Sequence, residues 1–253
     1  IIATPSIAVG EVSAKLSSCK DIGIVVNVSK GFQKDTLKRL SEVIEEHLPN
    51  SPIVALTGPS HAEEVARNIP TSIVSVSKSM TAAKTVQEIM SNDTLRIYTA
   101  EDLIGAELGG AIKNVIAVAA GFCDGLGLGD NSKAALITRG LAEMIRLGTA
   151  MGAKEYTFSG LTGLGDLIVT CTSQHSRNNR FGYKIGSGVA IGDALEQVGT
   201  VEGYYASKMA YELSQKYNVE MPIITQCYKV LYENKDINTV VYDLMTRPNG
   251  KEH

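Results

Sequence analysis

Lys113 and Asn114 interrupt the stretch Leu103–Cys123, which is otherwise apolar or small nearly all round, the pattern of a buried helix. Ala106, Gly110, Lys113, Ala117 and Gly121 step by four, three, four and four, so at about 100° per residue they share one narrow face. Small neighbours above and below a lysine leave volume in front of its ammonium group, which suits a ligand pocket better than a packed core. A desolvated lysine beside a second cation has a lowered pKa and can serve as a general base near neutral pH. The bland alternative is a core lysine whose stem is buried and whose head snorkels to water.

Four further segments carry groups that could complete such a site. Ser29-Lys30-Gly31 follows an apolar run. Ligands of open α/β sheets gather at the carboxyl ends of strands, so Lys30 is placed to hold an anion or to be the second cation. Gly58-Pro59-Ser60-His61-Ala62-Glu63 closes the next apolar run, with Ser60 and Glu63 spaced as a capping box. Free amides at that helix start would also attract an anion. Gly160-Leu161-Thr162-Gly163-Leu164-Gly165-Asp166 sets an acidic residue on a glycine-rich turn before an apolar segment; Asp166 reads either as a helix N-cap or as a site carboxylate. Ser173 to Arg180 is a polar run leading into a helix, where Ser176, Arg177 and exposed amides could cradle a phosphate.

The elements that must position these groups fall into two parts. Residues 1–105 alternate short β-rich runs with helical segments, the pattern of an α/β layered sheet. The strands expected are Ile1–Thr4, Gly23–Val28, Ile53–Thr57, Ser72–Ser75 and Leu95–Thr99. The helices expected between them are Val9–Ser18, Asp35–His47, Ala62–Asn68 and Ala82–Ser91. Ile24-Val25-Val26-Asn27-Val28 is apolar on both faces, as a strand covered by helices on each side should be. Residues 106–253 read as an all-helical domain, joined to the first through the Leu103 helix. Its helices are expected over Leu103–Cys123, Ser132–Met151, Arg180–Gly186, Glu202–Tyr217, Pro222–Glu233 and Ile237–Met245. The fold class is therefore α/β plus all-α.

Bulk properties narrow the function. A net charge of −3 offers no basic field for nucleic acid or an anionic membrane. The four cysteines have no metal-ligand spacing and read as free thiols in a reducing cytosol, and the four histidines are equally scattered, so no metal site is expected. The longest apolar run, breached by Lys113 and Asn114, reads as too short and too polar to span a bilayer. The opening Ile1-Ile2-Ala3-Thr4-Pro5 reads as a strand entered partway, giving the expectation of a longer parent protein.

In order and spacing these segments resemble the NAD(P)-dependent glycerol-3-phosphate dehydrogenase family, bacterial type. The likeness rests on V-S-K-G at 28–31, G-P-S-H-A-E-E at 58–64, G-A-I-K-N-V at 110–115 and G-L-G-D-N-S-K-A-A-L-I-T-R-G at 127–140. It continues with G-L-T-G-L-G-D-L-I-V-T-C at 160–171, S-R-N at 176–178 and V-E-G at 201–203. The resemblance implies a partial Rossmann-like sheet followed by a helical substrate and dimerisation domain. It implies interconversion of sn-glycerol 3-phosphate and dihydroxyacetone phosphate with NAD or NADP, in a cytoplasmic homodimer that supplies phospholipid synthesis.

By the same resemblance Lys113 is the proton acceptor, and Lys30, Gly58, Ser60, Asp166, Ser176, Arg177 and Asn178 line the glycerol phosphate site. Lys30, Ala62, Arg177, Thr200 and Glu202 touch the dinucleotide, and Asn114 and Thr170 also match family positions. The family's G-x-G-x-x-G turn is not found before Lys30. Two other readings compete. One is a β-hydroxyacid dehydrogenase, which uses a similar lysine–asparagine pair but needs no phosphate cradle at Ser176-Arg177-Asn178. The other is a catalytically silent binding or dimerisation module.

Overall fold

The computed structural model describes residues 1–34 and 36–248. Four strands form one mixed sheet in the order β1 (Val25–Asn27), β2 (Ile53–Thr57), β3 (Thr71–Val76), β4 (Leu95–Ala100). β1 and β2 are parallel, β2 and β3 antiparallel, and β3 and β4 parallel. The expected strand at Ile1–Thr4 shrinks to one parallel bridge, Ile2 to Asn27, on the outer edge of β1. It stops there because the backbone of Thr4 turns to a side chain. Thr4 N–H donates to Ser29 Oγ at 3.3 Å, and Ser29 Oγ donates back to the Thr4 carbonyl at 2.6 Å.

Both faces of this sheet are covered, as the apolar β1 run requires. Val25 packs with Val9 of α1 (Val9–Leu16) and with Leu40 and Ile44 of α2 (Leu40–His47). Its neighbour Val26 turns to the other face and joins Val54, Ile73 and Ile97 under Ala82 and Val86 of α4 (Met80–Met90). The helix between these, α3, is a single turn, Ala62–Val65.

Several boundaries differ from expectation for local reasons. The helix expected from Asp35 begins at Leu40; Asp35 itself lies outside the described residues. Leu37 takes φ +56°, and Phe32 pairs with Arg39 in an antiparallel bridge, so the chain is not helical there. Glu42 Oε2 then accepts from Arg39 N–H at 2.8 Å and fixes the start. Helix α3 ends early because Asn68 is left-handed, φ +56°.

The remaining chain is helical. Helix α5 (Leu103–Gly125) is the axle, with α6 (Gly129–Ala150), α7 (Asp166–Thr172), α8 (Arg177–Gly186), α10 (Glu202–Lys216) and α11 (Pro222–Glu233) packed around it. Helices α9 (Ile191–Val198) and α12 (Ile237–Met245) lie further out. Neither α7 nor α9 is expected from periodicity, because each is short and glycines flank them.

By length and hydropathy α5 could cross a membrane, contrary to the sequence reading. Instead 89% of its most apolar window is buried inside the protein. Its glycines explain how. A Cβ on Gly121 would lie 2.1 Å from the Asn179 carbonyl oxygen, and one on Gly182 would lie 2.0 Å from that of Val118. Helices α5 and α8 therefore meet backbone to backbone. Gly109 does the same for the turn before α7, where a Cβ would meet the Thr162 carbonyl oxygen at 2.6 Å.

Candidate active site

Those close approaches bring α7 and α8 against the Lys113 face of α5. Lys113, 5% exposed, donates from Nζ to Asp166 Oδ1 at 2.8 Å and to Thr170 Oγ1 at 2.6 Å. Thr170 Oγ1 in turn donates to the Asp166 carbonyl at 2.6 Å, so its lone pairs face the lysine. From the sheet side, Lys30 reaches Asp166 Oδ2 at 2.7 Å and the Gly58 carbonyl at 2.8 Å. Asp166 is the first residue of α7, following a π-helical turn at Leu161–Gly165; it serves as a buried counter-ion rather than an N-cap.

The electrostatics follow from this arrangement. Burial drives the Lys113 ammonium down, Lys30 pushes the same way, and the attraction of Asp166 only partly opposes them, leaving a pKa of about 8. Burial would raise the Asp166 carboxyl, but Lys30 and then Lys113 outweigh it, and the group stays below its usual range.

The stripe of small residues around Lys113 does more than leave a hollow. The Gly110 position is closed by the Lys30 stem, whose Cγ would lie 3.6 Å from a Cβ there, and Gly121 serves the α8 crossing. The hollow that remains is a cleft of about 240 Å³ lined by Lys30, Ser60, Lys113, Asp166, Thr170, Ser176, Arg177 and Asn178, with His61 and His175 at its side. Lys30, Lys113 and Arg177 line it together with the carboxylates of Asp166, Glu63 and Glu202, and the three cations offer charge-assisted donors to an anionic ligand. The cleft shares Ser60, Asn114 and Asn178, as well as Lys30, Ala62, Arg177, Thr200 and Glu202, with a larger cleft of about 710 Å³. That cleft opens at the carboxyl ends of the Ile2 segment and β1, where Thr4, Pro5 and Ser29 form its wall.

Each remaining expected residue has a defined place. Ser176 Oγ accepts from Asn179 N–H at 3.2 Å and starts α8 three residues earlier than the sequence suggests, which puts Arg177 and Asn178 in its first turn. Arg177 is exposed on the rim. Asn178 is buried: its Nδ2 donates to Asn114 Oδ1 at 2.9 Å, and its Oδ1 accepts from Gly203 N–H at 2.8 Å. Ser60 does not make the expected capping box. His61 occupies the N-cap position of α3, and Ser60 Oγ donates back to the Gly58 carbonyl at 3.0 Å. Gly58, at φ +131°, thereby presents one carbonyl to both Lys30 and Ser60. Ala62 and Thr200 are exposed cleft residues.

A family model described as the NAD-dependent glycerol-3-phosphate dehydrogenase N-terminus matches residues 1–83, and the corresponding C-terminus model matches 102–242. The chain belongs to the NAD-dependent glycerol-3-phosphate dehydrogenase family. It is 52% identical to a glycerol-3-phosphate dehydrogenase [NAD(P)+] of a Thermoanaerobacter species, spanning all of this chain and 77% of the relative. Against the Clostridium tetani enzyme of the same name identity is 49%, over all of this chain and 73% of the relative. The crystal structure of a Coxiella burnetii glycerol-3-phosphate dehydrogenase superposes with a TM-score of 0.93 at 39% identity, covering 96% of this chain and 75% of that one. A Plasmodium falciparum glycerol-3-phosphate dehydrogenase, 24% identical, shares the fold with a TM-score of 0.86 over 98% of this chain and 72% of its own.

Two long-range acid contacts escape the sequence pattern. Ser6, in the turn before α1, is held by Glu202: its N–H and Oγ donate to the two carboxylate oxygens at 3.1 and 2.6 Å. Glu107, two turns before Lys113 on α5, is also buried and accepts from Arg39, Ser41 N–H and Ser41 Oγ. An acidic residue on so apolar a helix is itself the signal that a partner waits across the interface.

Proposed function

We propose that this chain carries the acid–base and phosphate-binding site for interconversion of sn-glycerol 3-phosphate and dihydroxyacetone phosphate, with Lys113 as the proton-transferring group. The observation that carries the reading is Lys113 held between Asp166 and Thr170 in a cleft that Lys30 and Arg177 also line. NAD or NADP, when bound, supplies the hydride acceptor for oxidation and the hydride donor for reduction. The 710 Å³ cleft suits it: it takes in the carboxyl ends of the Ile2 segment, β1 and β2 beside the amino ends of β3 and β4, and Thr4 Oγ1 on its wall is buried without a hydrogen-bond partner. Lys30, Ala62, Arg177, Thr200 and Glu202 are the residues that would hold the dinucleotide.

In oxidation, neutral Lys113 accepts the proton of the secondary hydroxyl at Nζ, and Asp166 offsets the ammonium charge that forms. In reduction, the ammonium returns that proton to the developing alkoxide. Lys30 and Arg177 neutralise the substrate phosphate while Ser60, Ser176, Asn178 and the region of Gly58 orient it, so binding energy remote from the reacting carbon serves alignment. The product supplies glycerol phosphate for phospholipid synthesis. A cytoplasmic homodimer with a domain boundary near residue 105 completes the reading.

The test is Lys113→Ala in the protein expressed from its full coding sequence, assayed in both directions. Turnover should fall about 10²–10⁴-fold, the size of a general acid–base contribution, while affinity for glycerol phosphate changes little. A large loss of affinity with turnover intact removes Lys113 from this role. A β-hydroxyacid tested alongside glycerol phosphate should not be oxidised.

A further inference from the structure

Glu202 is the first residue of α10 and lines both clefts of the active site. Its carboxylate is not free to rotate, because both oxygens are held by one residue from the opposite end of the chain. Ser6 N–H donates to Oε1 at 3.1 Å and Ser6 Oγ to Oε2 at 2.6 Å. Ser6 itself is 2% exposed. The loop carrying Lys30 closes over the pair. Gly31 has φ +143°, and a Cβ there would lie 2.8 Å from Ser6 Cβ and 3.0 Å from Glu202 Oε2. Any side chain at 31 would therefore be strained and would push directly on this contact.

Ser6 follows Thr4 and Pro5 on the wall of the larger cleft, and Thr4 is bonded to Ser29 beside Lys30. The first turn after the Ile2 segment, the loop after β1 and the start of α10 are thus one packed unit, joined through the Ser6–Glu202 contact. A glutamate at an exposed helix start keeps several rotamers. Here a fork of one N–H and one O–H fixes the carboxylate plane.

We propose that Ser6 is a positioning residue for the cofactor: it holds the Glu202 carboxylate in the orientation that meets the dinucleotide. This rests on the reading of Glu202 as a dinucleotide contact. Ser6 acts through that carboxylate, and the test must read that dependence.

The test is a double-mutant cycle of Ser6→Ala and Glu202→Ala in the protein expressed from its full coding sequence, with steady-state kinetics for NADH or NADPH and for dihydroxyacetone phosphate. Ser6→Ala should raise the cofactor KM roughly tenfold, the loss of one hydrogen bond to a charged group. It should leave kcat and the dihydroxyacetone phosphate KM within about twofold, since neither Lys113 nor the phosphate contacts move. In the Glu202→Ala background the same substitution should add nothing. If Ser6→Ala proves too unstable to assay, Ser6→Cys keeps a weak donor in nearly the same volume and should give a smaller rise of the same kind. An unchanged cofactor KM in Ser6→Ala beside a raised one in Glu202→Ala overturns the Ser6 proposal alone. So does an equal rise from Ser6→Ala in both backgrounds. An unchanged cofactor KM in Glu202→Ala overturns the dinucleotide contact itself, and the Ser6 role with it.

Discussion

Lys30 and Lys113 donate to opposite oxygens of the Asp166 carboxylate, at 2.7 and 2.8 Å, one from the loop after β1 and the other from the middle of α5. One buried acid thus fixes two cations that come from opposite sides of the cleft. Asp166→Asn keeps the shape and removes the charge, but its amide nitrogen must face one of the two ammonium groups, donor against donor. Breaking a buried ion pair from one side costs about 3–5 kcal/mol. Urea unfolding should show a loss of that size, and turnover in either direction should fall by at least about a hundredfold. Full activity in a stably folded Asp166→Asn protein would remove the carboxylate from the mechanism.

The Lys113 pKa of about 8 gives the two reaction directions opposite pH limbs. Oxidation needs the neutral amine, so kcat/KM for glycerol phosphate should rise as pH passes about 8 and then level off. Reduction needs the ammonium, so kcat/KM for dihydroxyacetone phosphate should fall over the same range. The Lys30 charge is one cause of the depression, after burial. In Lys30→Met both limbs should therefore move to higher pH, whatever the substitution does to affinity. Limbs that stay in place would mean that another group titrates.

How far the site could be read in advance depends on what each residue answers to. Lys113 announces itself because a charge on an apolar helix has no packing reason to be there, whereas Lys30, in a loop past a strand, and Arg177, in a polar run at a helix start, stand out only through the family resemblance. The two-sided burial of Val25 and Val26 is likewise legible, since alternating apolar residues with no polar face demand cover on both sides. The helix α7 is not legible: its seven residues show less than two turns of periodicity, and the π-helical turn before it depends on Gly163, whose Cβ would lie 2.1 Å from the Phe158 carbonyl oxygen. The capping box at Ser60 fails for a related reason. The chain bends at Gly58, φ +131°, and the Ser60 hydroxyl donates to that carbonyl instead of accepting from the helix amides. Ser6 escapes altogether because its partner lies 196 residues away, and no local pattern encodes a contact of that range.

The α5–α8 crossing makes Gly182 a packing requirement. A methyl group there would overlap the Val118 carbonyl, which belongs to the axle helix and cannot swing aside. Gly182→Ala should raise the helix propensity of α8 by up to about 1 kcal/mol and still destabilise the protein by about 1–3 kcal/mol or more through overpacking. Because Asn178 sits in the same helix and bonds Asn114, the displacement should also weaken glycerol phosphate binding. Thermal unfolding and substrate KM measured together check both effects. An unchanged melting temperature would show that the helices have slack at this crossing.

Glu143 on α6 predicts a pH dependence of stability that is separate from the active site. Its carboxyl is 2% exposed and accepts from the N–H groups of Ile223 and Ile224 at the start of α11, at 2.7 and 3.1 Å. Burial nevertheless dominates and lifts its pKa from 4.5 to about 7. Between those two values the folded protein holds a proton that the unfolded chain releases. The stabilisation is therefore complete below about pH 4.5 and lost as pH rises through about 7. Glu143→Gln keeps a carbonyl acceptor for one of the two amides and cannot titrate. Relative to that variant, the wild-type protein should lose stability between pH 5 and pH 8, on the order of 2 to 3 kcal/mol. Urea midpoints for both proteins across that range measure the difference. A difference that stays constant, or grows in favour of the wild type at high pH, would mean that the α11 amides hold the ionised form against the cost of burial.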